Sequence, residues 1–388
     1  MDFRLTEEQE AFRKAVARFV EAEVAPVADR LDQAGEFPRE LFARLGQQGY
    51  LGLRYPEAYG GGEADFVTYC LFAEELARGS LSLAALAAMQ GLMGTHFIHR
   101  YGSEALRQRY LVPALRGEKV ATFGLTEPGA GSDVANIQTA AERVDGGWRL
   151  QGVKTWVTNA PVADMLTIAA KTSRERGMKH IALFLVDRQF PGVTLGKRID
   201  KQGVRGSATG EIVLDGVVVP DEHLLGGETG GVEKVGGLLS EIRVMTGALA
   251  VGLGRAAYEA ALRYSRERVT FGKPIGEHQA IAFKLADMAA QLHAATLLVY
   301  HGAWAIDQGR SVARDAAVTK LLTSEAANRI CDEASRVFAS YSFATEYPVE
   351  RYFRDARFLL WGGGTSEILR VLIARDLDRP LGGASLAP

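Results

Sequence analysis

Cysteine is nearly absent from this 388-residue chain. The two that occur, Cys70 and Cys331, are too few and too distant for a disulfide framework. That excludes a disulfide-stapled secreted scaffold and points to a reducing cytoplasm with buried, inert thiols. Histidines are few as well, and the seven present show no metal-ligand clustering, so no metal site is expected. Neither sign of charge is in excess: 45 Lys and Arg against 47 Asp and Glu leave a formal net charge of −2, with no general pull toward nucleic acid or an anionic membrane. Long hydrophobic runs are missing. The most apolar stretch, Leu81 to Gly94, is about 14 residues, too short to span a bilayer and suited to a buried helix. The opening MDFRLTEEQEAFRKAV is acidic and amphipathic, which predicts no signal peptide. No repeat or low-complexity segment breaks the chain.

What is present has the texture of a soluble globular protein, 47% apolar and 24% charged, long enough for two or three domains. Residues 1–118 read as a helical domain. Thr6 with Gln9 makes a capping box, and Phe12, Val16, Phe19 and Val20 recur at helical spacing. Further helices are expected near 38–49, 65–78, 82–100 and 103–116, with YPEAYGGG at 55–62 as a turn. Residues 119–228 alternate apolar and polar positions between Gly- and Pro-bearing turns, and a hairpin is expected around Gly146-Gly147. No helix-length pattern interrupts them, so the expectation is an antiparallel β-barrel or sheet domain and not a βαβ fold. Residues 229–388 return to helical periodicity, with Ile281, Leu285, Met288 and Leu292 spaced 4, 3 and 4, and predict a C-terminal four-helix bundle. The fold class is α+β, in the order helical domain, sheet, helical bundle.

Three stretches carry candidate chemistry. FGLTEPGAGSD, from Phe123 to Asp133, would expose backbone N–H groups at its glycines and hydroxyls at Thr126 and Ser132, although glycine turns are as readily structural. KTWVTNA at 154–160 sets Trp156 between β-branched residues at a strand end, where the indole can lie flat on an aromatic ring. RERVTFGKPIGEHQ at 266–279 gathers Arg266, Arg268 and Lys273. A solvated basic patch is the plain reading there, and a diphosphate is the other natural partner for paired arginines.

These stretches, in this order, resemble the acyl-CoA dehydrogenase family. The resemblance runs on through ATEYPVERYFRDAR (344–357) and GTSEILR (364–370) and spans essentially the whole chain. It implies FAD as cofactor, a thioester of coenzyme A or of a carrier protein as substrate, and a homotetramer built as a dimer of dimers. An electron-transfer-flavoprotein-type acceptor is compatible with it. It implies that Phe123, Leu125, Thr126 and Ser132 border the flavin, with Ser132 also touching the thioester, and that Trp156 and Thr158 flank the ring from the β-domain. Arg268 and Thr270, with Phe271 and Gln279 close by, would reach a neighbouring subunit's FAD diphosphate. Arg243 would line the CoA channel, and Gly364, Thr365 and Ser366 would close over the adenosine side.

Two departures stand out. The family's proton-abstracting glutamate precedes the Gly-Thr-Ser turn, and that position here is Gly363. The second placement known in the family falls on Ile242. Neither residue can take a proton. Glu241 is the weak substitute, rotated by about 100° along the helix, and His96 and His99 are weaker ones. By the resemblance, Gly362 and Gly363 replace the residues around the base. The other departure is RVFASYSF at 336–343, where Arg336 stands in place of a glutamine and Ala339-Ser340 in place of two glycines. Arg336 would either crowd the neighbour's pyrophosphate or pair with it. The expected activity is FAD-dependent dehydrogenation of an acyl thioester with a nonstandard base. The alternatives are a base-less flavin reaction on an unusual acyl-CoA, as in desulfination, and a non-catalytic acyl-CoA-binding subunit.

Overall fold

The computed structural model describes residues 4–173, 175 and 179–377. The capping box forms as read: Thr6 accepts from the Gln9 N–H and Gln9 returns the bond, both at 3.1 Å, opening helix Glu7–Phe19. Helix Phe66–Gly79 is capped by Asp65 and buries eleven of its fourteen residues. Leu81–Ala88 is buried at every position. It passes into a π-helical turn, Met89–Gly94, that the sequence did not announce, and then into His96–Tyr101. The Leu81–Tyr101 run and helix Glu233–Glu267 are long and apolar enough to cross a membrane by composition. Most of each lies inside the protein, so both are core helices.

Eight strands make the middle domain: β1 (Ala121–Gly124), β2 (Ala140–Val144), β3 (Gly147–Thr158), β4 (Met165–Lys171), β5 (Ile181–Asp187), β6 (Val193–Arg198), β7 (Thr209–Pro220) and β8 (Leu224–Leu225). The sheet runs β6-β7-β3-β2-β4-β5-β8, with β1 on β4. The expected antiparallel arrangement holds for five pairings, but β1–β4 and β2–β4 are parallel, so the sheet is mixed. β1 is the reason: it enters from the helical domain alongside β4, carrying the residues first read as a ligand turn. The β2–β3 hairpin turns at Asp145-Gly146, one residue earlier than expected. Gly147 is already in the strand, where a Cβ would sit 2.2 Å from the Val219 carbonyl oxygen.

The C-terminal domain has three long helices, Gly231–Glu267, Gln279–Asp307 and Ala313–Phe338. The fourth helix of the expected bundle is broken into Pro348–Ala356 and Ser366–Ala374, and the glycine turn occupies the break. The helices Phe66–Gly79 and Gly231–Glu267 press together at Gly252, whose Cβ would lie 2.1 Å from the Glu74 carbonyl oxygen. Beside this contact buried Glu74 takes Arg255 Nη1 at 2.8 Å and the Tyr300 hydroxyl at 2.6 Å. One hydrophobic core is therefore shared by both helical domains, and the sheet keeps a second of its own.

Candidate active site

Gly363 and Ile242, distant in sequence, face the same space. Gly363 has φ +72°, and a Cβ built on it would lie 3.2 Å from Thr246 Oγ1 and 3.5 Å from Ile242 Cγ2. Beyond its chain neighbours no other atom comes nearer than 4.0 Å. Thr246 donates its hydroxyl to the Ile242 carbonyl at 2.7 Å, so the polar group nearest the Gly363 Cβ position is a neutral, engaged hydroxyl. The other two glycines have different causes. Gly362 makes room for the Phe358 ring, 2.9 Å from where a Cβ would stand. Gly364 has φ +111°, a conformation that glycine alone adopts without strain.

The substitute bases are elsewhere engaged. Glu241 is held in an ion pair by Arg54, whose Nη1 and Nη2 both reach it, the second at 3.3 Å. The Arg54 guanidinium lies 4.7 Å above the Phe66 ring. Burial pushes the His96 imidazole down to about 4, which leaves it neutral and weakly basic. His99 is also pushed down by burial, and its ring abuts those of Tyr55 and Tyr59. Arg54 was missed in the sequence because it falls between the helix expected near 38–49 and the turn at 55–62, in residues given no role.

Two cations close the pocket from the bundle side. Arg243 is 9% exposed, its Nε makes no hydrogen bond, and no carboxylate among the described residues pairs with it. Burial holds its guanidinium below the usual range. Lys320 is fully buried and donates Nζ to the Gly364 carbonyl at 2.7 Å. Burial pushes it down to about 8, and the nearby Arg243 charge adds to the depression. Nothing in the sequence of its helix marked Lys320, because a lone lysine among apolar residues reads as a solvated position.

Opposite lies a shelf made by β3 and the loop after β1. The β3–β7 register slips between Lys154 and Val157, and this bulge turns Trp156 outward at φ +56° and 61% exposure. The loop is tied to it by Thr155 N–H to the Thr126 carbonyl at 2.9 Å and by Lys154 Nζ to the Leu125 carbonyl at 3.2 Å and Glu127 at 2.6 Å. Glu127 also accepts from the N–H groups of Gln138 and Thr139. Although burial opposes ionisation, Lys154 and the Gln138 N–H hold its carboxyl below the usual range. Glu127 is thus a strut of the turn. Phe123 packs into the core against Phe97, Thr158 is half-buried and accepts from Thr122, and Ser132 is exposed beyond the glycines.

The basic stretch folds into a small hairpin, Val269–Thr270 against Lys273–Pro274, with Phe271 at its tip 96% exposed and Gln279 exposed just beyond. The Arg268 guanidinium lies 5.6 Å from the Tyr341 ring, which joins the hairpin to the RVFASYSF segment. Arg336 is exposed and donates to Asp332 of its own helix at 2.8 Å. Arg243, a third of the way along its helix, and Arg268, at the C-terminal end, stand about 37 Å apart at 1.5 Å per residue.

Models of the acyl-CoA dehydrogenase N-terminal, middle and C-terminal domains match residues 6–118, 122–217 and 229–377. The chain belongs to the acyl-CoA dehydrogenase family. A benzylmalonyl-CoA dehydrogenase of Aromatoleum aromaticum is 50% identical, over 97% of this chain and 100% of that one. The solved butyryl-CoA dehydrogenase of Megasphaera elsdenii is 37% identical, with a TM-score of 0.94, over 98% and 100% of the two chains. The FAD complex of PigA is 29% identical at a TM-score of 0.94, over 97% and 99%. This acyl-CoA dehydrogenase is an FAD-dependent, CH–CH-type oxidoreductase in fold and family. Its residues fit the flavin. Trp156 is a large exposed ring with nothing over it, and the Ser366 hydroxyl is buried without a partner at the N-terminus of a helix, where anionic and polar groups bind. Thr365, by contrast, spends its hydroxyl capping Ile368 N–H at 3.2 Å.

Proposed function

We propose that this dehydrogenase oxidatively decarboxylates a 2-carboxyacyl-CoA of the benzylmalonyl type. The observation that carries the reading is the wall at Gly363: both base positions meet there, and neither supplies a proton acceptor. An ordinary acyl-CoA needs such a group within hydrogen-bond reach of its α-hydrogen. A malonyl-type thioester does not, because its α-carbon carries a carboxylate. The bond from that carbon to the carboxylate breaks, CO2 leaves, and the electron pair stays on the α-carbon. The pair forms the α,β double bond as hydride departs from the β-carbon. The charge balances: a carboxylate monoanion yields a neutral enoyl thioester, CO2 and hydride, and the α-hydrogen is retained. FAD, when bound, supplies the hydride acceptor.

The protein's part is to orient the thioester and keep the cleft free of bases. Leu125, Thr126, Ser132, Trp156 and Thr158 form the ring shelf, and Gly363 leaves room for the substrate's carboxylate. Met89, Leu92 and Met245 are buried in the hydrophobic core that the helical domains share, an apolar setting of the kind an arylalkyl group needs. The name of the 50%-identical relative supports that substrate class.

The same reading makes the protein a cytoplasmic homotetramer that passes electrons to a flavoprotein-type acceptor. Exposed Phe271 and Phe343, 96% and 94%, need a covering surface, and Arg268, Thr270, Gln279 and Arg336 stand beside them to reach a neighbour's FAD diphosphate.

The test uses benzylmalonyl-CoA carrying deuterium at C2, incubated anaerobically with the holoenzyme and a dye. Cinnamoyl-CoA that retains the label, with one CO2 per dye reduced, is the expected result. Oxidation of 3-phenylpropionyl-CoA at a comparable kcat/KM would reveal a working proton acceptor and overturn the reading.

A further inference from the structure

Arg243 is a buried guanidinium with which no carboxylate among the described residues pairs, and it lies close enough to another buried cation, Lys320, for their charges to oppose each other. Burying an unpaired ion is costly, so a site that keeps an unanswered guanidinium beside a second cation suits an anion. Among the described residues no carboxylate pairs with Arg243. Glu241, one residue before Ile242, is taken by Arg54, and half-buried Glu325 and exposed Glu367, whose charges reach Lys320, pair with Arg370. Ile242 and Thr246 face the Gly363 space, and Arg243 lies between them on the same helix, next to Ile242 and one turn from Thr246. Lys320 is anchored to the carbonyl of Gly364, the next residue in the turn. The cations and the vacant volume are therefore neighbours.

We infer that Arg243 is the receptor for the substrate's α-carboxylate, which sits in the space left by the missing side chain at Gly363, with Lys320 fixing the turn behind it. This rests on the function proposed above and names the group that selects the carboxylated thioester. The guanidinium holds the carboxylate by charge-assisted hydrogen bonds. The wall made by Ile242 gives that carboxylate no second partner, so a neutral CO2 leaves from an apolar surface. The arginine is a binding and specificity residue, and it accepts no proton.

Binding and turnover separate this inference from the function itself. The probes are 3-phenylpropionyl-CoA, which has no α-anion, and 2-sulfo-3-phenylpropionyl-CoA, whose α-anion cannot be lost as CO2. Their dissociation constants are read from the flavin absorbance of the wild-type holoenzyme and of its Arg243→Gln and Arg243→Lys variants. The wild type should bind the sulfonated thioester at least tenfold more tightly than its parent. Arg243→Gln should erase that preference while changing the affinity for 3-phenylpropionyl-CoA less than threefold, and Arg243→Lys should keep part of it. Retained preference in Arg243→Gln overturns the assignment, and so does equal weakening of both ligands, which marks the arginine as a scaffold or CoA contact. A wild type with no preference overturns it too. A wild type that prefers the sulfonate yet releases no CO2 from benzylmalonyl-CoA supports the carboxylate receptor and refutes the decarboxylation.

Discussion

A single side chain decides the chemistry here. At Gly363 a Cβ would stand 3.2 Å from Thr246 Oγ1 and 3.5 Å from Ile242 Cγ2, so a glutamate there needs the Thr246 hydroxyl to give by a few tenths of an ångström. Its backbone, at φ +72°, is left-handed and costs a non-glycine residue about 1 kcal/mol or more. We expect Gly363→Glu to fold with a small loss of stability and to gain oxidation of 3-phenylpropionyl-CoA by at least a hundredfold. It should lose benzylmalonyl-CoA turnover, because its own carboxylate fills the space and pairs with Arg243. Steady-state rates on the two thioesters check this, and an unchanged ratio between them would show that position 363 does not face the α-carbon. The sequence exposed both base positions through resemblance. It could not show that they form one wall, because that follows from how the broken fourth helix lies on the first. The pair Arg54–Glu241 was equally hidden, since neither residue is unusual in its own segment.

Elements set the width of the cleft. The Gly231–Glu267 helix carries Ile242, Arg243 and Thr246, and it is pressed onto Phe66–Gly79 at Gly252. A methyl group there meets a backbone carbonyl at 2.1 Å, which cannot rotate away, so the helices must separate. Gly247 on the same helix meets only side-chain atoms of Val299, Thr319 and Thr323, at 3.1–3.2 Å. Overpacking of this kind costs about 1–3 kcal/mol. Gly252→Ala should therefore lower the urea midpoint clearly more than Gly247→Ala. Equal midpoints would mean that the contact between domains is not tight. Helices were the readable part of this chain, because capping and apolar spacing are local signals, as at Thr6 and at Ile281, Leu285, Met288 and Leu292. The mixed pairing of β1 with β4 was not, because parallel register is set by a long-range connection, and the bulge at Trp156 shows only in the slipped β3–β7 ladder.

At the scale of the molecule, the three-part plan was legible because each part has its own hydrophobic period, and the joins fall where that period changes. What lies between subunits was legible only as odd exposure: Phe271 and Phe343 bare, Arg268 resting on Tyr341. The long helix puts that hairpin about 37 Å from Arg243. On the intersubunit site proposed above, retention of the yellow coenzyme is a property of the population of chains. At fixed free FAD, diluting the enzyme should strip flavin from it, and occupancy measured by ultrafiltration should climb again on reconcentration. Flavin content indifferent to enzyme concentration down to the nanomolar range would mean that each polypeptide grips its own coenzyme unaided.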